Sequence, residues 1–146
     1  MLGLLEHRDV ALRAVSAACK LVSRRPRPRP DLNLNEFRMH VVSAVGEAFN
    51  NIVLHGYAGR SDGVIEMAID TEPDRITVEF RDYGDSFDPD AVAIPDLDLL
   101  PESGLGIFII RSFMSIRYRA GRPNILTLSK TLAPESKDSG AAGESA

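Results

Sequence analysis

Apolar residues recur at spacings of three and four along DVALRAVSAACKLV, residues 9–22, where Val10, Ala14, Ala17, Ala18 and Leu21 form the stripe of a first amphipathic helix. A second and longest helix is predicted to start near Asn35, an N-cap with Glu36 in the first turn, and to stop at Gly56. The period then changes from helical to alternating. Ile65, Met67 and Ile69, and then Ile76, Val78 and Phe80, make GVIEMAIDT and RITVEFRD an antiparallel hairpin around Glu72-Pro73-Asp74. Residues 88–103 hold three prolines and no sustained period, which predicts a long loop of the kind often used as a lid. A third helix is expected from Gly104 through GLGIFIIRSFMSI, and a second hairpin from IRYRA and NILTLSKTL around Gly121-Arg122-Pro123. This order predicts an α+β protein: a two-layer sandwich in which one layer of three helices covers one face of a mostly antiparallel sheet.

At 146 residues the chain suits one domain able to bury about two thirds of its unfolded surface. With 44% hydrophobic and 26% charged residues it has a globular composition, and no apolar run reaches the length of a bilayer span. The expected domain is 1–132, followed by a small, polar and disordered tail from Ala133 to Ala146. No internal repeat is present. The N-terminal MLGLLEHRDV meets charge too early for a secretory signal, so the expected compartment is the bacterial cytoplasm. Cys19 alone cannot form an internal disulfide, agrees with a reducing compartment, and reads as packing. A net charge of −4 opposes general nucleic-acid binding. The local exception is SRRPRPRP at 23–30, where alternating prolines exclude helix and central strand and leave an exposed, stiff basic connection.

Three short stretches carry candidate chemistry. In EAFNNIVLHGY, residues 47–57, Glu47, Asn51 and His55 are four apart and would line one helical face, with Asn50 a quarter-turn away. Such a stripe can meet a hydrated magnesium ion, with Glu47 free to polarise a nucleophile; the plain alternative is capping and solvation near a helix end. In RDYGDSFDP, residues 81–89, Asp82 at a strand end can accept a hydrogen bond from an exocyclic amine, and Gly84 lets backbone approach a flat ring. Taken alone, that stretch reads first as an acidic turn. In ESGLGIF, residues 102–108, Gly104 and Gly106 expose N–H groups at the start of a helix, a favourable place for phosphate, although flexible passage from loop to helix needs the same residues.

Taken in order, E-x-x-x-N-x-x-x-H-x-Y, D-x-G-x-x-F-D-P and G-L-G resemble the N, G1 and G2 boxes of the GHKL (Bergerat-fold) ATPases. The chain is most similar to the small anti-sigma factors and serine-protein kinases of the RsbW and SpoIIAB type, over about residues 9–132. The resemblance implies a histidine-kinase-like ATPase fold holding ATP and magnesium between helices and lid. It implies Asn51 as the magnesium ligand, Glu47 as catalytic base, and His55 as the family histidine at the end of the same helix. By the same matching Asp82 reads the adenine amino group, with Gly84 and Phe87 in the ring pocket, and Gly104, Leu105 and Gly106 lie near the phosphates. Two positions depart from the pattern: Ser86 stands where many relatives have glycine, and Asn124 where threonine is frequent, so Asn124 is left out of the phosphate set.

The function implied is a serine-protein kinase and anti-sigma factor that phosphorylates a STAS-fold anti-anti-sigma partner, sequesters a sigma factor and forms a homodimer, with Arg13 at the partner surface. Neither direct nucleic-acid binding nor membrane association is expected. One competing reading is a non-catalytic ATP-binding switch, against which the presence of Glu47 counts. Another is the ATPase half of a histidine kinase, against which it counts that His7 stands at the extreme N-terminus and His40 inside the second helix.

Overall fold

Each stretch that keeps one polarity period becomes one element of the structure, a computed structural model that describes residues 7–22, 34–57, 63–86 and 105–132. Helix α1 spans Arg8–Val22 and α2 spans Leu34–Asn51, continued by one π-helical turn over Ile52–Gly56. Strands β1 (Ile65–Glu72) and β2 (Arg75–Asp82) follow, then α3 (Leu105–Phe113), β3 (Ser115–Arg119) and β4 (Asn124–Thr131). The expected lid, the Arg/Pro connection at 23–30 and the tail from Ala133 lie outside the described residues.

The four strands are antiparallel neighbours in the order β1-β2-β4-β3, so the last strand inserts between the first hairpin and β3. Side chains alternate across a strand, and the register therefore sets continuous rows on the inner face. One row joins Met67, Phe80, Leu126 and Tyr118; the next joins Ile69, Val78, Leu128 and Ile116. Ile76, Val78, Phe80 and Leu128 are fully buried, each such side chain contributing about 1.5–3 kcal/mol. Phe49 of α2 meets Phe80 edge-on at 6.4 Å, tying the helical layer to the middle of the sheet.

The helices cover this inner face side by side, α2 packed against both α1 and α3. Arg8 Nε donates to Gly46 O across the α1–α2 seam at 3.4 Å. On the other side His40 stacks on Phe113, with ring centroids 4.3 Å apart. Lys130 Nζ donates to Phe113 O at 2.9 Å, occupying a carbonyl that the end of α3 leaves without an intrahelical partner. Burial there pulls the Lys130 pKa down. Among the described residues no helix is long and apolar enough to cross a membrane.

Three expectations change. The buried face of α1 is Ala11, Val15, Cys19 and Val22, whereas Val10 is 65% and Leu21 48% exposed and Ala14 and Ala17 face outward. Apolar residues occupy most of the circumference of this helix, with charge confined to Arg8, Asp9, Arg13 and Lys20, so spacing alone could not choose the centre of the buried arc. Asn35 lies inside the first turn of α2 and does not cap it. Helix α3 ends at Phe113, short of Ile116, because Ser115 and Ile116 pair with Ser129 and Leu128 in the sheet.

Candidate functional site

The third inner row of the sheet breaks the apolar pattern. Ile65 on β1 is followed across the ladder by Asp82 on β2 and Asn124 on β4. Asp82 is 2% exposed and Asn124 fully buried, the two buried polar residues among those described. Burying such groups is unfavourable unless their hydrogen bonds are made. Asp82 Oδ1 accepts from Gly84 N and from Asn124 Nδ2, both at 3.0 Å. Asn124 Nδ2 also donates to Gly84 O at 2.9 Å, and Asn124 Oδ1 accepts from Gly121 N at 2.9 Å and from the Ser86 hydroxyl. Both protein bonds to Asp82 thus go to Oδ1. No hydrogen bond among the described residues reaches its Oδ2.

The end of α2 closes over this floor. Its last turn is π-helical, with Tyr57 N donating to Ile52 O at 3.0 Å, a wider turn than the α-helix. The widening directs Gly56 O to the N–H of Asp85 and sets Gly56 against Asp82: a Cβ on Gly56 would lie 3.5 Å from Asp82 Oδ1. Tyr57 is buried; its hydroxyl donates to Val64 O and accepts from Tyr83 N at 2.8 Å, clamping the turn to the residues just before β1 and just after β2. At Gly84 the contact leaves no room at all, since a Cβ would lie 2.2 Å from Gly56 O.

One helical turn back, Glu47 and Asn51 are half-buried and face the start of α3. A Cβ on Gly106 would stand 3.2 Å from Glu47 Oε2 and 3.3 Å from Asn51 Oδ1, so the missing side chain leaves a small cradle lined by two oxygen groups and helix backbone. Neither Glu47 nor Asp82 forms an ion pair among the described residues. His55 leaves the line of Glu47 and Asn51, because the π-helical turn intervenes, and is exposed. Arg13 is remote, on the outer face of α1 in an exposed pair with Asp9 at 3.0 Å. Leu105 opens α3, while Phe87 and Gly104 lie outside the described residues.

The described structure therefore joins Glu47, Asn51 and Gly106 in one group and Asp82 and Gly84 in another, both along the inner end of α2. Sequence reasoning missed Asn124, Gly56 and Tyr57 as parts of this arrangement. The signal for Asn124 was its place at the head of a strand, but its partner on β2 is 42 residues away and depends on β4 inserting beside β2. The oxygen groups suit a hard cation such as magnesium, which keeps several waters and binds through few protein ligands plus phosphate oxygens. Among the described residues no group of three His, Cys, Asp or Glu is placed to hold a metal.

Known proteins resemble this chain in sequence and in fold. Serine-protein kinase RsbW of Staphylococcus epidermidis is 38% identical over 80 residues, which cover 49% of this chain and 50% of that protein. Anti-sigma F factor of Clostridium beijerinckii is 32% identical over 81 residues, 51% of this chain and 54% of that protein. The chain thus spans about half the length of the curated relatives it matches. Among solved structures, the blue-light activated histidine kinase of Erythrobacter litoralis EL346 superimposes with a TM-score of 0.53 at 18% identity, covering 84% of this chain and 41% of that one, a likeness of fold. The model of the histidine kinase-like ATPase domain matches residues 7–130, nearly all of the described structure, and the chain belongs to that family.

Proposed function

We propose that the chain binds ATP with magnesium and is an anti-sigma factor and serine-protein kinase, acting on a STAS-fold anti-anti-sigma partner, holding a sigma factor, and working as a homodimer in the cytoplasm. The observation that carries the reading is the approach of Gly106 to Glu47 and Asn51, which gathers a carboxylate, an amide oxygen and the start of a helix within one small cradle. The names of the relatives support the kinase and anti-sigma parts.

In this reading Asn51 Oδ1 would hold the metal, and Gly104, Leu105 and Gly106 would serve the phosphate oxygens. Asp82 would receive the exocyclic amine of adenine, and Gly84, Phe87 and His55 would belong to the nucleotide-binding set. Bound magnesium–ATP supplies the transferable phosphoryl group and neutralises its charge. Glu47 takes the proton of the partner's serine hydroxyl, a contribution of about 10² to 10⁴ in rate. Arg13 belongs to the partner surface.

Glu47→Ala is expected to bind a non-hydrolysable ATP analogue as the wild type does, while its transfer of labelled phosphate to a purified STAS-fold partner falls at least about a hundredfold. The product should carry acid-stable phosphoserine. Calorimetry without heat for the wild-type chain at millimolar analogue and magnesium would overturn nucleotide binding, and wild-type transfer by Glu47→Ala would remove Glu47 as the base.

A further inference from the structure

Two side chains meet the last residue of α3 and have no part in the site described above. Lys130 occupies an inward position of β4, opposite the fully buried Ile76, where strand alternation calls for an apolar residue. Its Nζ donates at 2.9 Å to Phe113 O, the last carbonyl of α3. His40 stacks on the ring of the same residue, with 4.3 Å between centroids and 10° between planes, and its Nε2 lies 3.6 Å from Glu36 Oε1. Phe113 is thus held twice, by its ring from α2 and by its backbone from β4.

Near the other end of α3 stands Gly106, set against Glu47 and Asn51. Phe113 follows Gly106 by seven residues and His40 precedes Glu47 by seven, so on both helices the two contacts lie about 10 Å apart. The helices therefore run antiparallel in matched register, and Ala44 and Ile110, which fall between the contacts, are fully buried. A helix of nine residues moves as one rod, so fixing Phe113 fixes where Gly106 stands along α2.

We infer that His40 and Lys130 are positioning residues: acting through Phe113, they hold α3 in the axial register that keeps Gly106 against Glu47 and Asn51. The inference rests on the reading that this cradle receives the phosphates and the metal. Both side chains act from about two helical turns away and only through the helix. Without the ring stack and the Nζ donor, α3 can slide or tilt along the seam. The cradle is then assembled in only a fraction of the molecules, and binding weakens by that fraction.

The test is calorimetric titration of the full chain with the imido analogue of ATP, magnesium present. The variants are His40→Ala, His40→Phe, Lys130→Met, the pair His40→Ala with Lys130→Met, and Val15→Ala, which removes buried contacts of α1 on the other side of α2. His40→Ala and Lys130→Met are each expected to weaken binding at least about threefold, and the pair at least about tenfold. His40→Phe keeps a ring against Phe113 and should stay within about twofold of wild type, as should Val15→Ala although it melts lower. Binding by the pair within about twofold of wild type overturns the role given to the anchor; should the pair not fold, the same result for His40→Ala does so. An equal loss in Val15→Ala overturns it as well, since the effect would then follow stability and not the place of α3. A wild type that gives no heat at millimolar analogue overturns the ATP reading, and the inference with it, a failure that the wild-type titration alone tells apart.

Discussion

Gly84 and Gly106 are both small because something lies against them, yet what lies there differs. At Gly84 the obstruction is backbone: a Cβ would meet Gly56 O at 2.2 Å and Gly56 C at 2.5 Å, and Gly56 O is held by the N–H of Asp85. Gly84→Ala is therefore expected to lower stability by about 1–3 kcal/mol in urea unfolding, since a turn of helix or the loop must shift. At Gly106 the neighbours are the ends of Glu47 and Asn51, at 3.2 and 3.3 Å, which can yield by a few tenths of an ångström. Gly106→Ala should stay within about 0.5 kcal/mol of wild type yet lose at least about tenfold in affinity for an ATP analogue. Equal affinity would mean that the cradle takes no part in binding. Side chains such as Glu47, Asn51 and Asp82 were legible in the sequence because their spacing makes a pattern. The bonding of Asp82 through Oδ1 was not, for it depends on Asn124.

At the scale of elements, the hairpins were readable because strand alternation has one solution: the inner residues Ile65, Met67, Ile69, Ile76, Val78 and Phe80 lie on the face that the pattern names. Helix α1 offers two solutions, and packing against α2 and β1 selects Ala11, Val15, Cys19 and Val22. Val15→Ala should thus cost about 1–3 kcal/mol, whereas Val10→Ala should remain within about 0.5 kcal/mol. Comparable losses in chemical denaturation would return the buried arc to the Val10 side. The π-helical turn had no local signal. It is held by Gly56 O meeting Asp85 N and by Tyr57 meeting Val64 O, just before β1, and Tyr83 N, just after β2, contacts that no window of the helix itself contains. The early end of α3 has the same origin, because pairing of Ser115 with Ser129 takes that backbone into the sheet.

For the molecule as a whole, Cys19 offers a handle on cooperative stability. It is buried under α1, and burial pushes its thiol pKa from 9.0 up to about 11, an increase that Arg38 partly offsets. A group whose pKa is higher when folded supports the folded state fully below its unfolded value, and that support is lost as pH rises through the folded one. Melting of the wild type is expected to fall between about pH 9 and 11 more steeply than that of Cys19→Val, which does not titrate there. Parallel profiles would show that Cys19 titrates alike in both states. The same burial predicts slow reaction with thiol reagents at neutral pH.

The meeting of Asp82 with Asn124 also sets an order in time. Hydrogen bonds that span 42 residues form only once the final strand has slotted between its neighbours. A ribosome must therefore release almost the entire described chain before the carboxylate is fixed, and a nascent fragment that already holds the first hairpin still lacks the buried polar floor that Asp82 and Asn124 make together.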